Sequence, residues 1–100
     1  MAADNPNYPI ATAAISWFDS QGQLHIRVYS TDGYKVTERC ADGGPWTTGS
    51  FNQAGSAVSA TCWNTPAGAN IRVYCTSQDK TIEWCSDAGQ AWYQGDYTTT

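Results

Sequence analysis

The sequence repeats itself with a period of about 45 residues. The tetrapeptide IRVY stands at positions 26–29 and again at 71–74. The same spacing relates Lys35, Glu38 and Cys40 to Lys80, Glu83 and Cys85. Further out the spacing is one residue longer and relates Trp17, Trp46 and Gly49 to Trp63, Trp92 and Gly95. Matches along a whole period indicate a duplicated structural unit, joined by loops that have absorbed a small insertion.

Each unit has the composition of short β-strands. In the first unit, segments with alternating, β-branched and aromatic residues lie at 13–18, 24–30, 34–40 and 46–51. Turn residues separate them at 19–22, 32–33 and 42–45, and the second unit has equivalent turns at 64–68 and 87–89. No apolar stripe of helical period occurs in the chain. The sequence therefore predicts an all-β protein.

Four strands in a period of this length are typical of one β-propeller blade. We expect an N-terminal extension at 1–11, a first blade at 12–55 and a second at 56–100. An eight-stranded sandwich or barrel is the alternative, although such a fold needs no internal repeat. Because propellers have four to eight blades, two blades cannot close a ring. Head-to-tail association of two, three or four identical chains is expected to close it.

Composition excludes several functional classes. The chain has a net charge of −4 and only five basic residues, which is too few to neutralise a nucleic-acid backbone. Aromatic residues at 13% and charged residues at 14% are typical of a folded domain rather than a disordered one. No stretch approaches the roughly 18 apolar residues of a membrane span. The N-terminal residues do not resemble a secretory signal peptide, so we expect a cytoplasmic protein or one exported without such a signal.

The cysteines and the histidine predict neither a metal nor any other cofactor. The four cysteines form no C-x-x-C pair, and His25 is the only histidine. Buried free thiols are one interpretation of these cysteines. A Cys62–Cys75 disulfide, or a Cys40–Cys85 disulfide between neighbouring blades, is the other.

The two glutamates of the chain, Glu38 and Glu83, occupy equivalent places in the repeat, as do Arg27 and Arg72. In each unit the arginine lies on the second strand and the glutamate on the third, so adjacent antiparallel strands can bring them side by side. Such a pair presents a rigid fork of donors beside acceptor oxygens, which suits the vicinal hydroxyls of a sugar. Trp46 and Trp92, each following a turn, add an apolar face and an indole N–H.

A structural interpretation competes with this functional one, since cross-strand Arg–Glu pairs also stabilise sheets. The remaining notable residues are expected to serve the fold: Trp17 and Trp63 in the core, Tyr29 and Tyr74 in the core or between blades, His25 on a strand surface, and Asp42 and Asp87 as caps of their own turns.

The run of IRVY, TERC, a D-G-x-x-W turn and a T-G-x-F strand resembles the fucose-binding lectins of the Aleuria aurantia type, and within them the small two-repeat bacterial members. The likeness extends from Thr12 to near the C-terminus. It implies a six-bladed propeller formed by three chains, with a sugar held between neighbouring blades.

The resemblance also assigns sites. It implies an intrachain site built from Arg27, Glu38 and Trp92. A second site at the subunit contact would use Arg72 and Glu83, with Trp46 of the neighbouring chain.

Smaller residues complete these sites under the same resemblance. Ser50 and Asp96 match positions whose backbone bonds the sugar, and Leu24 and Ala69 match the apolar wall beside the methyl group of fucose. Family members carry an aromatic residue directly after the cysteine, where this chain has Ala41 and Ser86. Since an aromatic contact contributes about 1 kcal/mol, we expect several-fold weaker binding.

The predicted function is a multivalent, non-enzymatic lectin whose partners are fucosylated glycans and further copies of the chain. An interaction or scaffold propeller without sugar affinity is the main alternative. A glycan-processing enzyme is the other; hydrolysis usually needs two carboxylates about one bond, and each predicted site offers one.

Overall fold

Eight β-strands form two four-stranded sheets in the computed structural model, which describes residues 8–100. The predicted extension at 1–11 thus lies outside the described residues over positions 1–7. The N-terminal sheet consists of β1 Ala11–Phe18, β2 Leu24–Thr31, β3 Lys35–Ala41 and β4 Thr47–Ala54. The C-terminal sheet consists of β5 Ala57–Thr65, β6 Gly68–Ser77, β7 Lys80–Asp87 and β8 Tyr93–Gln94. The prediction of an all-β protein is confirmed, and no helix that could span a membrane occurs within residues 8–100.

Both sheets are antiparallel meanders in which every strand pairs with its neighbours in sequence. The register pairs equivalent residues in the two sheets: Arg27 lies opposite Cys40 as Arg72 lies opposite Cys85, and Tyr29 lies opposite Glu38 as Tyr74 lies opposite Glu83. In each sheet the arginine and the glutamate are therefore diagonal neighbours on adjacent strands. This register puts both side chains on one face of the sheet, because the side-chain period of a strand is two residues.

The N-terminal sheet is irregular at Glu38. The pairing of β3 with β4 shifts between Thr37 and Arg39, so Thr37 pairs with Asn52 while Arg39 pairs with Thr48. A bulge of this kind leaves extra residues of β4 opposite one residue of β3 and re-aims the side chain there. The carboxylate of Glu38 is thereby held against the backbone of Gly49 and Phe51.

The hydrophobic core lies between the two sheets. Buried residues from both contribute to it: Ile15, Tyr29, Val36, Phe51, Ile71, Val73 and Cys75. The first strands of the two sheets are joined by hydrogen bonds from Cys62 Sγ to the carbonyl of Ser16 (3.4 Å) and from Asn64 Nδ2 to the carbonyl of Phe18 (2.9 Å). Trp92, from the loop before β8, packs its ring 4.7 Å from that of Phe51. The C-terminal sheet thus covers the N-terminal one.

Several fold expectations can now be compared with the structure. All four cysteines are free thiols, so both disulfide alternatives are excluded, and all but Cys62 are buried. Tyr29 is fully buried as predicted, whereas Tyr74 is only half-buried. The prediction of a core position is wrong for Trp63, which is 45% exposed, because its ring lies under an arginine at the sheet surface.

Candidate functional site

A pocket of about 250 Å³ lies between the two sheets. The N-terminal sheet contributes its arginine, its buried glutamate and a serine, and the C-terminal half contributes an alanine, a serine and a tryptophan. These six residues, Arg27, Glu38, Ser50, Ala69, Ser86 and Trp92, were all predicted as site residues from the sequence. Further lining residues, which the sequence did not single out for this site, include Trp17, Cys40, Ile71 and Gln90. We call this the intersheet pocket.

Arg27 is fixed on three sides. Its Nη1 donates to the backbone carbonyl of Ile26 (3.0 Å) and to Oδ1 of Asp42 (2.7 Å). The guanidinium carbon lies 5.0 Å from the ring centroid of Trp17, within the range of a cation–π interaction. Among the described residues, every hydrogen bond of Arg27 comes from Nη1. The Nε and Nη2 donors therefore stay available for a ligand in the pocket.

Arg27 has a second acidic partner besides the expected Glu38. Its closest carboxylate is Asp42, whereas its Nε lies 3.9 Å from Oε2 of Glu38. The prediction that Asp42 caps its own turn is wrong, because Gly43 turns the chain with a φ of 92° and aims the carboxylate at Arg27. Desolvation opposes the charged form of Arg27, yet the hydrogen bond to Asp42 raises the pKa of the guanidinium. Arg27 is therefore a permanent cation.

Glu38 is 4% exposed and its two oxygens are held separately. Oε2 accepts a hydrogen bond from the Tyr29 hydroxyl (2.7 Å), and Oε1 accepts one from the backbone N–H of Phe51 (3.4 Å). Burial, followed by the negative charge of Glu38, raises the pKa of Tyr29 and keeps its hydroxyl a donor. Gly49 leaves the space that Oε1 occupies, since a Cβ there would collide with that oxygen. The carboxylate is thus a fixed acceptor at the pocket wall.

The opposite wall comes from the C-terminal half. The Ser86 hydroxyl donates to the carbonyl of Gln90 (2.8 Å), which ties the loop after β7 to its strand. This loop carries Trp92, whose ring meets Phe51 and, at 6.3 Å, Tyr29 edge to face. Trp92 therefore both closes the core and lines the pocket. Ala69 and Ile71 of β6 add apolar surface.

The C-terminal sheet reproduces the arginine geometry. Nη1 of Arg72 donates to the carbonyl of Ile71 (3.0 Å) and to Oδ1 of Asp87 (2.7 Å), and its guanidinium carbon lies 5.0 Å from the ring of Trp63. As in the first sheet, the prediction that the aspartate caps its own turn is wrong. We call Arg72, Asp87 and Trp63 the second arginine cluster.

Glu83 belongs beside this cluster. Its Oε2 accepts from the Tyr74 hydroxyl (2.8 Å) and its Oε1 from the backbone N–H of Tyr97 (3.1 Å). The hydrogen bond to Glu83 raises the pKa of Tyr74. Among the described residues, no contact within 4.0 Å pairs Arg72 with Glu83.

Six predicted site residues lie outside the intersheet pocket. They are Arg72, Glu83 and Asp96 in the C-terminal half, and Leu24, Ala41 and Trp46 in the N-terminal half. Leu24 and Trp46 are exposed, at 39% and 46%. A single chain does not bring the three residues of the C-terminal half together with the three of the N-terminal half. The sequence prediction required a neighbouring chain to join Arg72 and Glu83 to Trp46.

His25 is not the plain surface residue that was predicted. Its Nδ1 lies 2.6 Å from Oδ1 of Asp42 and its Nε2 lies 2.8 Å from Oδ2 of Asp19. Its ring stacks on Trp17 at 5.3 Å. The hydrogen bonds to Asp42 and then to Asp19 raise the pKa of His25. The hydrogen bond with His25, followed by the backbone hydrogen bonds from Gln23 and Gln21, holds the pKa of Asp19 below its usual value.

Asp42 and Asp87 are the site residues that the sequence reasoning missed. They lie at the same offset from their arginines and follow equivalent cysteines. This double recurrence of an acid fifteen residues after a predicted site arginine was the available signal. Their position in a turn favoured a capping role instead.

The intersheet pocket suits an uncharged ligand rich in hydroxyl groups. Arg27 and Glu38 contribute opposite charges, two serines line the wall, and Trp92 and Ala69 provide apolar surface. Within residues 8–100, no three His, Cys, Asp or Glu side chains are grouped to hold a metal ion. The sequence matches no protein-family model, and no curated protein is significantly similar to it.

Proposed function

We propose that this protein is a lectin that binds L-fucose and fucosylated glycans. The observation that carries the proposal is the composition of the intersheet pocket. Six residues that the sequence singles out for sugar binding line this pocket. Two of them, Arg27 and Trp92, are more than sixty residues apart in the sequence. The lectin resemblance of the sequence supplies the choice of fucose.

The chemistry of the pocket supports a neutral sugar. Fixed donors of Arg27 and a fixed acceptor at Glu38 match a pair of vicinal hydroxyls, each of which both donates and accepts. Both groups are held by their own sheet before a ligand arrives, so little ordering is required on binding. Ala69 and Trp92 offer apolar surface to a methyl group and to the C–H face of a sugar ring.

A six-bladed propeller made of three chains is the assembly we propose. Each sheet is then one blade, and the second arginine cluster finds its opposite wall on the next chain. The exposed aromatic residues support association, because a monomer rarely leaves so many large apolar side chains in water: Phe18, Trp46, Trp63, Tyr93 and Tyr97. Residues Trp46 and Leu24 would then meet Arg72 across the subunit contact.

Calorimetric titration of the full chain with L-fucose tests the proposal, with galactose and mannose as controls. We expect saturable fucose binding at two sites per chain. No binding at millimolar fucose, together with an intact trimer, would contradict it and favour a scaffold propeller. Hydrolysis of an aryl fucoside would instead favour an enzyme.

The arginines supply the matched variants. Arg27→Ala combined with Arg72→Ala is expected to abolish binding while the trimer persists in light scattering. Arg39→Ala is the control, because the third arginine lies on an exposed face and, within residues 8–100, donates to the Thr48 hydroxyl (2.7 Å) alone. Equal loss of binding in the control would show that the effect is not specific to the site.

A further inference from the structure

We infer that His25 is a positioning residue for Arg27. By donating to Asp42, His25 holds the carboxylate that orients the guanidinium. The affinity for a sugar at the intersheet pocket therefore depends on the protonation of His25, whereas the affinity at the second arginine cluster does not. This inference rests on the proposed sugar-binding function of the pocket.

The contacts form a continuous chain of charges. Asp19, His25, Asp42 and Arg27 follow one another at 2.8, 2.6 and 2.7 Å. A single oxygen, Oδ1 of Asp42, accepts from both His25 and Arg27. The position of Asp42 therefore depends on two cations at once.

This geometry requires the imidazolium form of His25. A neutral imidazole has one donor nitrogen and one acceptor nitrogen, so it cannot donate to two carboxylates. The groups that face the ring are Asp19 from the β1–β2 turn, Asp42 from the β3–β4 turn and the uncharged ring of Trp17 from β1, with Arg27 beyond Asp42. Two carboxylates against one distant cation favour the protonated ring, in agreement with the raised pKa of His25.

Loss of the proton breaks one of the two hydrogen bonds that His25 donates to carboxylates. Because the folded pKa of His25 is raised, the imidazolium persists to a higher pH than in a free histidine, and the ring releases its proton as the pH rises through the folded value. One carboxylate then faces a nitrogen lone pair and moves away. We expect the proton to leave Nδ1, because Asp42 keeps Arg27 as a partner cation whereas Asp19 has His25 as its partner. Asp42 then loses its second anchor, and Arg27 loses the fixed orientation that matches it to a sugar.

In the part of the chain that the structure describes, the second arginine cluster has no histidine in the place of His25. Asn70 takes the place of His25 in the repeat, and the second donor to Asp87 is the Tyr93 hydroxyl at 2.5 Å. The hydrogen bond to Asp87 raises the pKa of Tyr93 to about 12, so this donor keeps its proton in the range where His25 loses its own. The chain thus carries its own control site.

Fucose titrations from about pH 6 to about pH 10 test the inference. Arg72→Ala isolates the intersheet pocket, and His25→Asn in that background copies the residue of the second unit. We expect affinity at the isolated pocket to fall about fivefold as the pH rises, and the His25→Asn pocket to stay at its low value throughout. Equal pH profiles with and without His25 would overturn the inference.

A ligand-free measurement separates this inference from the proposed function. His25 is the only histidine, so its ring signals in an NMR titration need no assignment by elimination. The Nε–H signal of Arg27 is expected to shift with the same midpoint as His25, above the ordinary histidine value. An Arg27 signal that ignores the His25 titration overturns the positioning role. Absence of fucose binding at every pH, with the two signals still coupled, overturns the proposed function alone.

Discussion

The two halves of the chain share one geometry and differ in burial. The distance from arginine to aspartate is 2.7 Å in both, and each guanidinium lies 5.0 Å from its tryptophan ring. The tyrosine–glutamate bonds, 2.7 and 2.8 Å long, are also alike. Yet Tyr29 and Glu38 are buried, whereas Tyr74 and Glu83 are half-buried. Local register within a sheet therefore fixes the geometry, and a neighbouring sheet determines the burial.

The packing of Trp92 against the N-terminal sheet explains the difference in burial between the two halves. The N-terminal sheet packs beneath Trp92 and has an outer strand of eight residues, while β8 pairs over only two. The C-terminal sheet finds no equivalent of Trp92 within the described chain; under the proposed ring, Trp46 of the next chain takes that part.

The largest expected effect is that of Gly49→Ala. The new Cβ would collide with Oε1 of buried Glu38, and we expect a loss of about 3 kcal/mol in the free energy of unfolding, measured in urea. Gly44→Ala is the control, because a Cβ there meets no atom within 4 Å, and its effect is expected to stay within about 0.5 kcal/mol. Gly95→Ala should cost less than Gly49→Ala, since the short strand β8 can shift away from Glu83. Equal losses of unfolding free energy for Gly49→Ala and Gly44→Ala would contradict the close approach of Glu38 to Gly49.

Tyr29→Phe should have the next largest effect. It removes the donor to a buried carboxylate and is expected to cost about 2 kcal/mol, whereas Tyr74→Phe should cost less than about 1 kcal/mol in a dissociated chain. In the assembled trimer the two losses should converge, because a neighbouring chain then covers Tyr74. Urea unfolding at low and high protein concentration measures both. Losses that stay unequal under conditions where the chain is fully assembled would contradict the proposed ring.

Ala41→Trp is expected to improve fucose affinity at the second site by about 1 kcal/mol, measured by calorimetry. Ala41 is only half-buried, so a larger side chain has room. Ser86→Trp is the contrasting variant: Ser86 is 6% exposed and holds Gln90, and its replacement should destabilise the loop instead. Unchanged affinity of a folded Ala41→Trp protein would show that this position does not face the ligand.

The smallest expected effect concerns the pH dependence of stability. The folded pKa of His25 is raised, so the stability that His25 contributes is full below the ordinary histidine pKa of about 6.5 and is lost as the pH rises through the folded value. We expect His25→Asn to lose less than about 1 kcal/mol near pH 6 and nothing near pH 10. Thermal unfolding of both proteins across this range provides the comparison. A constant difference at all pH values would contradict it.

The sequence predicted the strands well and the side-chain partners poorly. Alternation and turn residues located every strand of the first unit to within a few residues, because both signals are local. The end of β4 was predicted at Phe51 rather than Ala54, since the bulge at Glu38 depends on pairing between strands.

The partners of the arginines could not be obtained in that way. Arg27 reaches past its diagonal neighbour Glu38 to a turn residue, and long side chains choose partners by position in space. Trp63 was assigned to the core for a similar reason: a periodic pattern gives the face of a strand but not whether a cation or a second sheet covers it. Trp17, by contrast, is partly buried and packs against the core as predicted. The sequence did not predict the series of contacts around His25, because its two acidic partners, Asp19 and Asp42, lie in separate turns.

The meander topology has a consequence for how the chain folds. Every ladder joins consecutive strands, so each sheet can zip up from its own hairpins with short loop closures. Contacts such as Asn64 to Phe18 and Trp92 to Phe51 close far longer loops and form only when the sheets dock. The intersheet pocket is therefore assembled in the last, long-range step of folding. A ligand that fills it acts on the docking equilibrium, and its binding should slow unfolding rather than speed the formation of either sheet.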